Sequence, residues 1–250
     1  MEEVQTQGTT QQAALYEVPS LAVAAHELKS PLALIRQLSL LLRDEAEDIS
    51  LQHRDVQQLL ERVTLTSERS LRLVQMLTRH ARLEDGLFEL EPVHVGQVCE
   101  EVAHELTPLC KATGQKLEVH IPKRSTLAVA NRELLRSIAF GLCDNALTQM
   151  EASDKPVIVG VSHQAGAVRL GVRDFGTSMP ADTFKRLHAR LGHSAQPISQ
   201  RPQSSGLGLY IAGQFAAVMQ GTLGVVRHRQ AGATFYVDTP TSSQLSLLTL

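Results

Sequence analysis

Apolar residues recur every seven positions at Leu21, Leu28, Ile35 and Leu42, and Ala24, Leu32, Leu38 and Leu41 widen that row into a stripe. The spacing predicts an amphipathic helix, with Ser20 as its N-cap and its end near Glu47. After a short turn at 48–52, a second stripe of Val56, Leu60, Val63, Val74, Leu77 and Ala81 predicts a helix over about 53–84. Polar Ser67 and Ser70 interrupt that stripe, and Gly86 stops it. Two long amphipathic helices joined by a short turn form an antiparallel hairpin. One hairpin cannot cover both of its stripes. A second copy covers them in a four-helix bundle, so a homodimer is expected. The alternative is a hairpin packed on the C-terminal domain of its own chain.

Beyond Gly86 the period changes. Leu87–Leu90 alternates like a short strand, and Val93–Ala112 reads as a helix. Leu117–Ile121 and Leu127–Val129 alternate as strands, and Asn131–Met150 is helical. Val157–Ser162 and Val168–Arg173 are strands joined by the turn residues Gln164, Ala165 and Gly166. Ser205–Met219 is a helix, and Thr222–Arg227 with Ala233–Asp238 forms a closing hairpin. Strands mixed with helices after an all-helical start predict a separate α/β two-layer sandwich. The expected domains are a loose tail over 1–19, a hairpin over 20–86, an α/β domain over 87–240 and a second tail over 241–250.

Composition narrows the function classes. Lys plus Arg is 24 and Asp plus Glu is 26, a formal charge of -2, which predicts no general affinity for nucleic acid or acidic membranes. The three cysteines, Cys99, Cys110 and Cys143, have no metal-type spacing, and their odd number fits a reduced, cytoplasmic setting. No run of about 18 apolar residues is present, so no segment of this chain is expected to span a membrane. No basic stretch followed by an apolar one opens the chain, so no secretory leader is expected.

The first helix carries candidate chemistry on its polar side. In His26–Leu32, HELKSPL, the imidazole of His26 falls opposite the apolar stripe, with Lys29 and Ser30 on its own face. Glu27 places an acid beside it. Pro31 deletes the hydrogen bond to the Glu27 carbonyl, so the helix can loosen one turn beyond His26. A nucleophile that must swing toward a donor can use that freedom. The plain alternative is one exposed histidine among the ten in the chain.

Three stretches of the α/β domain carry the rest. Leu142-Cys143-Asp144-Asn145-Ala146 ends a helix, where the Asn145 oxygen is a candidate ligand for Mg²⁺, a hard ion that keeps waters and phosphates as its other partners. Val172-Arg173-Asp174-Phe175-Gly176 follows a strand. An acid at a strand end can accept a hydrogen bond from an exocyclic amine, and Gly176 lets a flat base approach the backbone. Ser204–Ile211, SSGLGLYI, opens a helix whose exposed N–H groups and dipole favour a phosphate. Residues 189–205 ahead of it, poor in apolar side chains, read as a lid over a nucleotide. Taken singly, the first two have ordinary alternatives, a surface asparagine and a turn after a strand, and a GxG is weak by itself.

In this order, these pieces resemble the sensor histidine kinases of two-component signalling. HELKSPL (26–32) is similar to the phospho-acceptor box, LCDNA (142–146) to the N box, Asp174-Phe175-Gly176 to the first glycine box and GLGLYIA (206–212) to the second. Gly221 and Gly232-Ala233-Thr234-Phe235 match the closing strands. The likeness covers about residues 20–240. It implies a dimeric helical hairpin followed by an ATP-binding α/β sandwich of the kind shared with gyrase and Hsp90. It implies ATP and Mg²⁺ as cofactors and the receiver domain of a response regulator as partner. His26 would accept the phosphoryl group. Glu27 would draw the proton from the other ring nitrogen, and Ser30 would orient a water for dephosphorylating the partner. Asn145 would hold Mg²⁺, Asp174 would read the adenine amine, and Gly176, Gly206, Leu207, Gly208 and Leu209 would line the nucleotide.

The sequence also departs from that pattern. Gly141 stands where a second asparagine is common, and Thr148 and Gln149 replace a basic residue and an aromatic. Ser178 and Ser204 replace glycines of the two glycine boxes, and the lid's aromatic pair is reduced to Phe184 with Leu187. These changes motivate a second reading: a dimeric pseudokinase, scaffold or phosphatase module that binds ATP weakly or not at all.

Overall fold

Two helices come first. In the computed structural model, which describes residues 21–46, 53–83, 88–123, 126–149, 155–192, 207–229 and 231–242, they are α1 (Leu21–Ala46) and α2 (His53–Ala81). Within those ranges the side chains of 21–27, 43–46, 53–55, 58, 69 and 149 lie outside the description. The chain divides into two units, Val18–Ala81 and a second built on Arg82–Leu250.

In the first unit α1 and α2 pack against each other. Leu38 is buried, and Leu28, Ile35, Leu40 and Leu42 are half-buried. On α2, Val56, Val63 and Leu77 are half-buried, whereas Leu32 of α1 is 57% exposed and Leu60 and Leu71 of α2 are 51% and 63% exposed. α1 runs through Pro31 without a break. Ser70 is buried in α2 because its hydroxyl donates back to the Thr66 carbonyl at 2.8 Å, which satisfies a polar group inside an apolar stripe.

The second unit contains β1 (Glu91–His94), α3 (Val95–Thr113), β2 (Leu117–His120), β3 (Leu127–Ala130) and α4 (Arg132–Gln149). β4 (Val157–Gln164), β5 (Ala167–Arg173), α5 (Ala181–Arg190), α6 (Leu207–Val218), β6 (Thr222–Arg227) and β7 (Ala233–Pro240) follow. Five strands form one sheet in the order β2-β4-β5-β7-β6, with β2 parallel to β4 and the other pairs antiparallel. β1 and β3 form a separate antiparallel pair. The sheet is helices-on-one-face because its strands alternate. Val157, Val159 and Val161, then Val168, Leu170 and Val172, then Phe235 and Val237 turn inward and are buried. Leu134, Leu135 and Ile138 of α4, Val98, Val102 and Leu106 of α3, and Ile211 and Phe215 of α6 complete that core.

Two caps fix the helices that matter for the site. Asn131 accepts the Leu134 N–H at 3.1 Å on its side-chain oxygen and donates to the Glu89 carbonyl at 3.0 Å, so α4 starts at a fixed point. α6 ends in a left-handed turn at Gln220 (φ 54°), where Gly221 N–H donates to the Ala216 carbonyl at 2.8 Å and Gln220 N–H to Ala217 at 2.9 Å.

Several boundaries differ from the sequence reading. The strand expected at 87–90 lies at Glu91–His94 instead, and α3 starts at Val95 rather than Val93. Pairing with β3 draws Val93 into the core as a strand residue, and tertiary pairing overrides its helical spacing. α5 was absent from the reading. Thr183 is buried and Phe184 and Leu187 are half-buried, a spacing of three and four that marks a helix, and Leu191 and Gly192 beyond it are buried rather than part of a lid. Residues 193–205, the remainder of that expected lid, lie outside the described residues, as do Gly206 and residues 1–19 and 243–250.

Candidate nucleotide site

The site is built at one edge of the five-stranded sheet. Asp174 follows β5 directly and keeps the inward phase of Val168, Leu170 and Val172, so its carboxylate enters the layer between sheet and helices with 5% exposure. A buried carboxylate needs hydrogen-bond donors. Here Oδ1 accepts the Gly176 N–H at 3.1 Å and Oδ2 accepts the Ala233 N–H at 3.2 Å, while Asp174 N–H donates to the Ala233 carbonyl at 3.0 Å. Two N–H groups use only part of the acceptor capacity of a carboxylate. What remains is suited to a donor such as an exocyclic amine.

Register brings α4 to the same edge. Ile158 pairs with Arg173, next to Asp174, and Val157 pairs with Leu117 at the start of β2. Just before β2, Gln115 donates from Nε2 to the Leu147 carbonyl at 2.7 Å, and Val157 N–H donates to the Lys116 carbonyl at 2.8 Å. The last turns of α4, with Asn145, therefore stand at the Asp174 end of the sheet. Asn145 is half-buried, and its side chain makes no hydrogen bond to a described residue. Thr148 is exposed, and its hydroxyl donates to the Asp144 carbonyl at 2.7 Å.

The start of α6 arrives at this edge by a length argument. α6 turns at its C-terminus straight into β6, whose first residue Thr222 pairs with Asp238 at the far edge. α6 packs on α4, β6 and β7. A helix of 12 residues spans about 18 Å, and a strand of six residues about 20 Å, so α6 runs back to the Asp174 edge. Its first turn holds no acidic residue, which leaves the positive end of the dipole available to an anion. Leu207 and Leu209 are buried anchors of the helix, and a Cβ added at Gly208 would meet no described residue outside its own helix turn within 4 Å. Gly208 is thus the open position of the turn, with the leucines holding it in place.

Asn145, Asp174, Gly176, Leu207, Gly208 and Leu209 therefore belong to one edge. Gly206 lies outside the described residues. The backbone of His26 and Glu27 is helical in α1, but their side chains lie outside the description, and Ser30 is exposed on the same helix. Phe175, where no role was expected, is flanked by two cations: the Arg173 guanidinium lies 4.6 Å from its ring centroid and the Lys155 ammonium 5.4 Å. Gly232 and Ala233 also escaped the reading as site residues. They had been matched only to the closing strands of the family, and a glycine just before a strand was the remaining signal.

Residues 130–243 match the family described as histidine kinase-, DNA gyrase B-, and HSP90-like ATPase. The sensor histidine kinase AruS of Pseudomonas aeruginosa is 28% identical over 87% of this chain and 22% of its own length. Over most of its length the chain is similar in sequence to sensor histidine kinases. Among solved structures of histidine kinases, AdeS of Acinetobacter baumannii has a TM-score of 0.58 at 16% identity, covering 87% of this chain and 98% of AdeS. Full-length ShkA in complex with AMPPNP has a TM-score of 0.56 at 22% identity, covering 88% of this chain and 46% of ShkA. Those two likenesses concern the fold. The chain spans about a fifth of AruS and about half of the sensor protein CutS of Streptomyces coelicolor, which is 28% identical to it. No helix among the described residues is long and apolar enough to cross a membrane, which the histidine kinase ATPase fold does not require.

Proposed function

We propose that the chain is the cytoplasmic kinase part of a two-component sensor. Residues 20–86 are its dimerising, phosphate-accepting hairpin and residues 87–240 its ATP-binding domain. The observation that carries this reading is the buried carboxylate of Asp174, half satisfied by backbone N–H groups, at the edge shared by Asn145 and the open first turn of α6. In this reading Asp174 accepts a hydrogen bond from the adenine amine, and Gly176 admits the base. Gly206 and Gly208 receive phosphate at the α6 N-terminus. Asn145 contributes one oxygen to Mg²⁺, a fit supported by its free carbonyl and by the preference of that ion for waters and phosphates. The ion would neutralise phosphate charge.

A nitrogen of His26 attacks the γ-phosphorus, and the bond from that phosphorus to the leaving ADP oxygen breaks. Glu27 takes up the positive character of the ring through the other nitrogen's proton. Phosphoryl transfer depends mainly on positioning and charge neutralisation, which fits a site of fixed backbone donors. The phosphoryl group then passes to an aspartate of a response regulator receiver domain, and Ser30, exposed beside His26, orients water for the reverse removal. The exposed Leu32, Leu60 and Leu71 support a homodimer as the state in which this occurs. Incubation with γ-labelled ATP and Mg²⁺ tests it: label that is acid-labile and base-stable is expected in the wild type, and its absence from folded protein counts against a kinase.

A second reading has its own observation. Gly141 supplies no side chain to α4, and the Thr148 hydroxyl donates to the Asp144 carbonyl at 2.7 Å, where a basic residue would carry a charge. Both weaken the grip on nucleotide and favour a dimeric scaffold or phosphatase. Nucleotide titration separates the two: micromolar ATP affinity supports the kinase, and millimolar or no affinity the scaffold.

A further inference from the structure

The turn between β6 and β7 touches the Asp174 carboxylate more closely than any sequence motif suggested. Gly232 has φ +62°, a conformation that L side chains rarely adopt. A Cβ there would lie 2.1 Å from the Asp174 carbonyl oxygen and 2.5 Å from its Oδ1. The next residue, Ala233, gives its N–H to Oδ2 at 3.2 Å and takes the Asp174 N–H on its carbonyl at 3.0 Å. Both ends of the turn are fastened. His228 N–H donates to the Gly232 carbonyl at 3.2 Å, and the Ser178 hydroxyl donates to the His228 carbonyl at 3.3 Å. Arg227 Nε donates to the Met179 carbonyl at 2.5 Å, and Arg173 Nη2 to the Ala231 carbonyl at 3.4 Å. The turn is thus tied to both sides of the Asp174 loop.

A carboxylate reads a donor only if the lone pair left over points at it. Oδ1 is constrained by Gly176 and by the absence of a side chain at 232, and Oδ2 by Ala233. Rotation of the carboxylate would break one bond or the other. We propose that Gly232 and the Ala233 amide are positioning residues that aim Asp174 at the 6-amino group of adenine, so that this turn sets the base specificity of the site. The proposal rests on the reading of Asp174 given above and deepens it.

The experiment measures the affinity of the full-length chain for ATP and for the triphosphate of the 6-unsubstituted purine riboside, which lacks the amine. The wild type is expected to prefer ATP at least about tenfold, the worth of one charge-assisted hydrogen bond. Asp174→Asn should reduce that preference and serves as the reference. Gly232→Ala should reduce it to within about threefold of unity while the amine-free nucleotide binds as before. A merely structural defect would lower both affinities together. Ala233→Pro removes the one N–H aimed at Oδ2 at the first position of a strand, where proline is tolerated, and should give the same loss of preference if Gly232→Ala does not fold. No preference in the wild type would overturn the Asp174 reading and the proposal with it. A wild-type preference that survives in the folded Gly232→Ala or Ala233→Pro protein overturns the proposal alone.

Discussion

The two units satisfy their polar groups at very different range. Along α2 the hydroxyls of Thr64, Thr66, Ser70 and Thr78 each donate to the carbonyl four residues back, at 2.7–3.0 Å. The helices of the α/β unit carry such bonds too, at Thr107, Thr113, Ser137 and Thr148, but this unit adds side-chain bonds that reach across the fold. Gln115 to Leu147 spans 32 residues, Asn131 to Glu89 spans 42, and Arg169 to Asp238, a bidentate pair at 2.7 Å, spans 69. The first pattern secures a helix without saying what covers it. The second secures one tertiary arrangement. The hairpin also leaves Leu32, Leu60 and Leu71 more than half exposed, whereas the sheet core is closed. The α/β unit thus closes its own core, whereas the hairpin leaves apolar side chains in water.

The largest effect that tests this contrast is at His26. His26→Ala should abolish acid-labile label from ATP altogether, because no other group replaces the nucleophile. Far-ultraviolet circular dichroism should stay unchanged, since α1 is held by its apolar side. Label persisting in the variant would place the accepting group elsewhere. Next comes Asp174→Asn. The amide cannot accept as strongly from the two N–H groups or from an amine, and a charge-assisted hydrogen bond is worth about 1.5–3 kcal/mol. ATP affinity by titration calorimetry should fall about 10- to 100-fold. Unchanged affinity would remove Asp174 from the site.

The third effect lies on the hairpin. Leu60→Glu together with Leu71→Glu puts charge on positions that are 51% and 63% exposed. If a second copy covers them, each leucine contributes about 1 kcal/mol or more to association, and the variant should dissociate at least tenfold more readily in sedimentation experiments. Its ATP affinity should not change. A wild-type chain that is monomeric at high concentration would return the hairpin to its own C-terminal domain.

This contrast also explains what was readable in the chain. The hairpin and most strands were legible because period seven and period two are properties of local spacing. The stretch 142–146, Asp174 and the start of α6 were legible because each is a residue type placed at an element end. β1 was misplaced because Val93 obeys a helical spacing and is drawn into a strand by β3, which lies 30 residues or more away. α5 was missed because its residues were read for lid chemistry rather than for the spacing of Thr183, Phe184 and Leu187. Gly232 was missed because its meaning comes from Asp174, 58 residues earlier in the chain, and no local pattern records that approach. A fourth, smaller test follows. Thr148→Lys places a basic residue at an exposed position of α4 and removes a hydroxyl that donates to the Asp144 carbonyl. ATP affinity should rise about two- to fivefold at low salt and less at high salt, as expected of one exposed charge near phosphate. No gain at low salt would mean that the triphosphate does not pass this turn.

The smallest effect separates the units by pH. All three cysteines belong to the α/β unit, and all are buried. Burial pushes the Cys99 thiol up from 9.0 to about 12, with Glu100 adding to the shift. Burial also drives Cys143 well above 9.0, with smaller contributions from Cys99, Asp144 and Cys110, and raises Cys110 as well. In the unfolded chain these thiols lose their protons near their ordinary value, while the folded unit keeps them. Their stabilisation is therefore complete below about pH 9 and is lost as pH rises from there toward about 12 for Cys99. Between pH 8 and 9.5 the loss should be about 1 kcal/mol or less for Cys99, with Cys143 and Cys110 acting in the same direction. Denaturant midpoints followed by near-ultraviolet signals of the α/β unit should fall over that range, and the transition of the cysteine-free hairpin should not. Cys99→Ala should lower stability at pH 8 and flatten the slope above it, and a thiol reagent at pH 8 should leave the folded protein unmodified. A slope unchanged in Cys99→Ala would mean that some other group in the unit titrates instead.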